Sequence, residues 1–124
     1  MAGESRQLLT SPHVQETLLA EAIQTAEVGF LVWDDDRHYV AANATACALL
    51  GCTLEELLES VVGGRTVEGQ EVVEQVVRGH GGRGRVTFER FDGGRATLEY
   101  LTFATRTAGL PHMASVIWPA EEAG

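Results

Sequence analysis

Lysine is missing altogether from the 124-residue sequence, and cysteine (2), methionine (2), proline (3) and aromatic residues (6%) are all scarce. Arginine replaces lysine everywhere, which reads as the mark of a GC-rich genome rather than of any physical demand. Nine basic residues face 18 acidic ones, for a formal net charge of −9. Such a surface is not built to neutralise phosphates or anionic lipid, so nucleic acid and membrane are set aside as partners. Two cysteines cannot form the disulfide framework of a small secreted domain. Cys47 and Cys52 are spaced C-x4-C without a second pair or a neighbouring histidine, so no metal site is read from them. No apolar run approaches the ~20 residues of a membrane span, and no secretory leader is visible. These absences leave a soluble, cytoplasmic protein.

What is present is ordinary globular composition, 44% apolar and 22% charged, at a length that fits one domain. The acidity is uneven. Residues 1–77 hold 13 acids against 3 arginines, whereas residues 78–124 hold 5 acids against 6 arginines. This predicts a negative helical side and a less charged sheet side.

Residues 1–10 read as a flexible tail and 120–124 as a second one. Ser11-Pro12 is an N-cap followed by proline in the first turn. Val14, Leu18, Leu19, Ala22 and Ile23 follow at helical spacing, giving an amphipathic helix over 11–27. Gly29 to Trp33 is a short strand, Asp34-Asp35-Asp36-Arg37 a turn with diverging side chains, and Tyr39 to Ala42 a second strand. Asn43 caps a helix from Ala44 to Leu50 that Gly51 closes. Thr53 and Glu56 form a capping box for a short helix to Glu59. Thr66 is expected to cap a valine-striped helix through Val72, Val73, Val76 and Val77 to Gly79. Gly79 to Gly82 reads as a loop before a strand from Val86 to Phe91. Asp92-Gly93-Gly94 is a hairpin turn. The strand from Ala96 to Thr107 changes parity between Leu98/Tyr100 and Leu101/Phe103, implying a bulge or burial on both faces. Met113 to Trp118 is the last strand. Helices clustered between strand pairs imply an α+β fold, a five-stranded antiparallel sheet with helices covering one face.

The run Gly29-Phe30-Leu31-Val32-Trp33-Asp34, then Tyr39 to Leu57 with its Asn43, "LLG" and "EEL", resembles a PAS domain. Phe91-Asp92-Gly93-Gly94-Arg95 is similar to that family's "DG" hairpin, and Ala114 to Ile117 to its last strand. The resemblance covers about Leu18 to Pro119 and implies a core over 28–119 with sheet order 2-1-5-4-3. The family's usual "DIT" ending is absent at Pro119-Ala120-Glu121. A free-standing bacterial member is expected.

The resemblance also implies what to look for. A sensory module would bind a small apolar ligand or a protein partner, and would signal through a homodimer or a separate signalling protein. Pocket-lining candidates are Trp33, Tyr39, Cys47, Val76, Phe88, Tyr100, Phe103 and Trp118. Dimerisation candidates are Val14, Leu18, Leu19, Ala22 and Ile23, together with the outer sheet face. Flavin–cysteine photochemistry is set aside, because the segment Ser60 to Thr66, where light-sensing relatives carry their cysteine, has none. His80 is the one candidate haem ligand, but three glycines surround it and a solvated loop residue is expected. A haem- or flavin-binding sensor is the alternative within the fold. The alternative of another class is a small cone-shaped enzyme, with Glu99 as its carboxylate if that side chain is buried. No nucleophile–base pair or phosphate loop stands out, so no catalytic residue is assigned.

Overall fold

The computed structural model describes residues 11–121, so the tail read at 1–10 and the last three residues lie outside the described residues. The elements run α1 (Pro12–Gln24), β1 (Gly29–Trp33), β2 (Tyr39–Ala42), α2 (Ala44–Leu50), α3 (Leu54–Leu58), α4 (Gln70–Arg78), β3 (Gly81–Glu89), β4 (Arg95–Thr107) and β5 (Leu110–Pro119). The five strands form one antiparallel sheet in the order β2-β1-β5-β4-β3. No helix among the described residues is long and apolar enough to cross a membrane.

Local sequence explains most of these boundaries. Asn43 accepts the Ala46 N–H at 2.9 Å and so caps α2. Gly51 ends the same helix at φ 69°, where a side chain is strained, and the Cys52 N–H reaches back to the Cys47 carbonyl at 3.0 Å. The Thr53–Glu56 capping box is complete. Ser11 holds the N-cap position of α1, with Pro12 next.

Four readings need correction. Thr66 does not cap α4; it forms a bridge to Phe88, and the Val67 N–H bonds to Thr87, so the chain stays along β3 until Gly69 turns it at φ 69° into the helix. The Gly79–Gly82 segment is not all loop, because β3 starts at Gly81 opposite Phe103. A Cβ at Gly81 would sit 2.7 Å from the Thr102 carbonyl, and the residue takes φ 140°, so glycine is what lets the strand start there. The long strand β4 has neither a bulge nor two buried faces. Its register against β3 and β5 is unbroken, Leu98 and Thr102 are buried, and Leu101 and Phe103 are 42% and 41% exposed on the other face. Finally, the tail read from residue 120 begins pinned: the Ala120 N–H bonds to the Thr97 carbonyl.

The core lies between the inner sheet face and α2, α3 and α4. Leu31, Trp33, Leu50, Leu57, Val73, Val76, Phe88, Leu98 and Ile117 fill it. Helix α1 stands largely outside: Leu19 is 61% and Ile23 37% exposed, while Val14 and Leu18 are half-buried. Asn43 ties its end to the body, its amide donating to the Ile23 and Val28 carbonyls at 2.6 and 3.0 Å, and the Thr45 hydroxyl donates to the Ala26 carbonyl at 2.6 Å.

Candidate functional site

Between the helices and the sheet lies an apolar cavity of about 80 Å³. Its floor is the inner sheet face, with Leu31 and Trp33 from β1, Tyr39 from β2, Phe88 from β3, Leu98, Tyr100 and Thr102 from β4, and Ser115 and Ile117 from β5. Leu50 of α2, Val73 and Val76 of α4, and the Val62–Gly63 loop close it. Among the described residues no charged side chain reaches its wall. A polar stripe on the wall is a short chain of hydrogen bonds: Trp33 Nε1 donates to Ser115 Oγ at 3.1 Å, and Ser115 Oγ lies 2.7 Å from Thr102 Oγ1. Burial pushes the Tyr39 phenol well above the ordinary tyrosine range, and raises that of Tyr100 with help from the nearby Glu68 charge.

Of the residues singled out from the sequence, Trp33, Tyr39, Val76, Phe88 and Tyr100 lie on this wall. Three do not. Cys47 packs against the core from the side of α2, outside the cavity wall. Phe103 and Trp118 point to the outer sheet face, because strand alternation puts them on the opposite parity from Thr102 and Ile117. Trp118 instead donates its indole N–H to Glu99 Oε2 at 2.8 Å. Sequence reasoning missed Thr102 and Ser115. Both lie at period two from apolar neighbours on the same face, Tyr100 and Ile117, and that spacing was the available signal.

The outer sheet face is the second feature. The cross-strand rows Phe30–Val116–Leu101 and Val32–Ala114–Phe103, with Trp118 beside them, make it apolar at its centre. Leu101 and Phe103 stay more than two-fifths exposed there.

This arrangement of sheet and helices recurs in solved structures. The PAS domain of an HTR-like protein from Haloarcula marismortui superposes with a TM-score of 0.76 at 17% identity, covering 97% of this chain and 100% of that one. The chain has the PAS fold. A domain of a sensory box sensor histidine kinase/response regulator from Geobacter sulfurreducens gives 0.72 at 19% identity, over 88% of this chain and 97% of the other. An RNA-binding light-oxygen-voltage receptor gives 0.77 at 17% identity over 90% of this chain, which spans 34% of that longer one. No protein-family model and no curated protein matches the sequence.

Within the PAS fold, several sequence candidates find other roles. His80 is exposed at φ 56° past the end of α4 and does not touch the cavity wall. Glu99, the carboxylate named for an enzyme, lies on the outer face, with 35% of its side chain exposed, between Trp118 and Arg85. It is therefore not the buried acid that role requires. Asp34 and Asp36 do not diverge as expected: they converge with His38, one ligand atom of each lying within 4.8 Å of the others. Asp34 Oδ1 already accepts the Asp36 and His38 backbone N–H groups, which is the chemistry of a turn. The burial of Cys52, beside Cys47, pushes its thiol up to about 11, so it is a poor nucleophile at neutral pH.

The "DG" hairpin turns out to be a clamp on α2. Arg90 donates to the Ala48 and Leu49 carbonyls in the last turn of that helix, where the Ala48 carbonyl also accepts the Gly51 N–H. It also grips both carboxylate oxygens of Asp92, at 2.9 and 2.7 Å. The Arg90 hydrogen bonds hold the Asp92 carboxyl down to about 2. Because the folded value is depressed, the contribution to stability is complete above the unfolded value of roughly 4 and is lost as pH falls through the folded one. An NMR titration of the Asp92 carboxyl is expected to show a midpoint near 2. In Arg90→Ala it returns toward the ordinary value, and an unchanged midpoint there would rule out Arg90 as the cause.

Proposed function

We propose that this PAS-fold chain is a cytoplasmic sensory module rather than a catalyst. It takes a small apolar ligand into the cavity and transmits the event through a second copy of itself or a separate regulator. The observation that carries the reading is the apolar cavity, lined by no charged side chain of the described residues, placed back to back with a half-exposed apolar sheet face. The five strands separating the two are one layer, so a change in packing on the cavity side alters the strand twist on the other. A ligand that favours one packing then shifts the population of the outer surface. Sensor kinase domains share the fold, which supports a signalling role by analogy. At about 80 Å³ the cavity is well below the ~300–1,000 Å³ of sites that enclose cofactors, which favours a small ligand over haem or flavin. Native mass spectrometry of freshly purified protein is expected to show a retained small molecule. A haem or flavin band in the visible spectrum of the same sample would overturn the choice of ligand class.

For the outer face we propose a homodimer. Leu101, Phe103 and Val116 supply its centre, and Val14, Leu18, Leu19, Ala22 and Ile23 of α1 are the candidates for a second apolar surface in the pairing. Sedimentation at micromolar concentration is expected to give a dimer that tolerates salt, since its centre carries no charge. Leu101→Glu with Phe103→Glu is expected to give a folded monomer, with unchanged far-ultraviolet circular dichroism. A wild-type monomer would dispose of the pairing.

A further inference from the structure

The polar stripe on the cavity wall has a hydrogen to spare. Thr102 and Ser115 are 5% and 6% exposed. Three hydrogens belong to the trio of Trp33, Ser115 and Thr102: one indole N–H and two hydroxyls. The indole hydrogen goes to Ser115 Oγ, and one hydroxyl hydrogen lies between the two oxygens, whichever of them donates it. The other hydroxyl hydrogen has no acceptor among the described residues. A hydroxyl oxygen tolerates a spare lone pair, but a buried donor without an acceptor is costly. The wall of described residues therefore offers one donor hydrogen it cannot itself satisfy, and no charge to pair with it.

We propose that the cavity selects an uncharged, mostly apolar molecule carrying a carbonyl-type hydrogen-bond acceptor, held by the spare hydroxyl of the Ser115–Thr102 pair. The proposal deepens the ligand-binding reading above and rests on it. By the space a single water requires, the volume suits a molecule of about six non-hydrogen atoms.

The test compares cyclopentanone with methylenecyclopentane, which replaces the carbonyl oxygen by a methylene group at nearly the same shape. Binding is followed through the two indole N–H signals of the full chain. The Trp33 signal reports the cavity; the Trp118 signal, held by Glu99 on the outer face, is the internal control. The ketone is expected to move the Trp33 signal alone and to bind about fivefold tighter than the hydrocarbon, the factor one net hydrogen bond supplies. Equal affinities at Trp33 would overturn the acceptor requirement while leaving the cavity as a ligand site. If neither compound moves the Trp33 signal, or both move only that of Trp118, the cavity reading and the proposal fall together. The hydrogen count adds a sharper demand. In Thr102→Val the Ser115 hydrogen becomes the spare one, so the preference persists. In Ser115→Ala both the Trp33 indole and the Thr102 hydroxyl lose their partner, so the preference widens. A preference abolished by Thr102→Val would refute the count. The wild-type comparison stands even if Ser115→Ala folds poorly.

Discussion

Asn43→Ala is expected to be the most damaging single polar substitution in this chain, lowering stability by about 3 kcal/mol or more. The side chain is 2% exposed and uses all of its usual hydrogen-bonding capacity. Its carbonyl oxygen accepts the Phe30 and Ala46 N–H groups, each at 2.9 Å, and its amide donates to the Ile23 and Val28 carbonyls. One residue thus caps α2, starts β1 and anchors the end of α1. Alanine removes the helix cap and takes from the Phe30 N–H and the Val28 carbonyl the partner that Asn43 supplies at a buried site, while the Ile23 carbonyl keeps the Ala26 N–H at 3.3 Å. At about 4 °C per kcal/mol for a domain of this size, the thermal midpoint should fall by roughly 12 °C. Asn43→Asp separates the two halves of the argument. It keeps both accepted bonds and turns the two donated ones into oxygen–oxygen contacts. It should therefore be no better than alanine at holding α1, while still capping α2. Amide exchange read helix by helix would show this. Equal protection of α1 in wild type and Asn43→Asp would mean that the carbonyls of Ile23 and Val28 do not need the amide.

Asn43 also shows which part of the structure was legible in advance. Its capping role was readable, as were the Thr53–Glu56 box, the Gly51 stop and the Asp92-Gly93 turn, because each is a contract between residues a few positions apart. The same residue's bonds to Ile23 and Val28 were not readable, since they depend on where a helix 20 residues earlier comes to rest. Thr66 is the converse case: a sound cap by local chemistry, drawn instead to Phe88 by the edge of β3. Strand β4 misled for another reason. Leu98, Tyr100, Leu101 and Phe103 are apolar on both parities, so the alternation that normally marks the inner face is absent. The difference was carried by Thr102, a polar residue on the buried face, whose hydroxyl is matched by Ser115 on the next strand. A threonine or serine in a strand reads by default as facing water. That default hid the polar stripe and, with it, moved Phe103 and Trp118 to the wrong side. The charge asymmetry survives in sharper form: among the described residues most acids of the first 77 lie on α1, α3, α4 and the first hairpin, and the centre of the outer sheet face is apolar.

Leu50→Ala and Leu57→Ala are expected to cost about the same and to respond oppositely to an apolar ligand. Leu50 is 2% and Leu57 0% exposed, and each should lose about 3 kcal/mol through transfer and cavity terms together. The two differ in what their loss opens. Leu50 forms part of the cavity wall, so its truncation enlarges a space of about 80 Å³ that already exists. Leu57, on α3, is not on that wall, and its void is bounded by other core side chains. Dry apolar cavities near 150 Å³ take up benzene. Benzene at about ten times its dissociation constant should return roughly 1.4 kcal/mol to Leu50→Ala, seen as a rise in the thermal midpoint. Leu57→Ala should show no such rise. Equal rescue of both variants would mean that the void at Leu57 connects with the cavity. Rescue of neither would mean that the helices collapse into the space when Leu50 is shortened. The wall would then be too soft to hold a ligand of fixed shape, and the sensory reading would lose the cavity on which it depends.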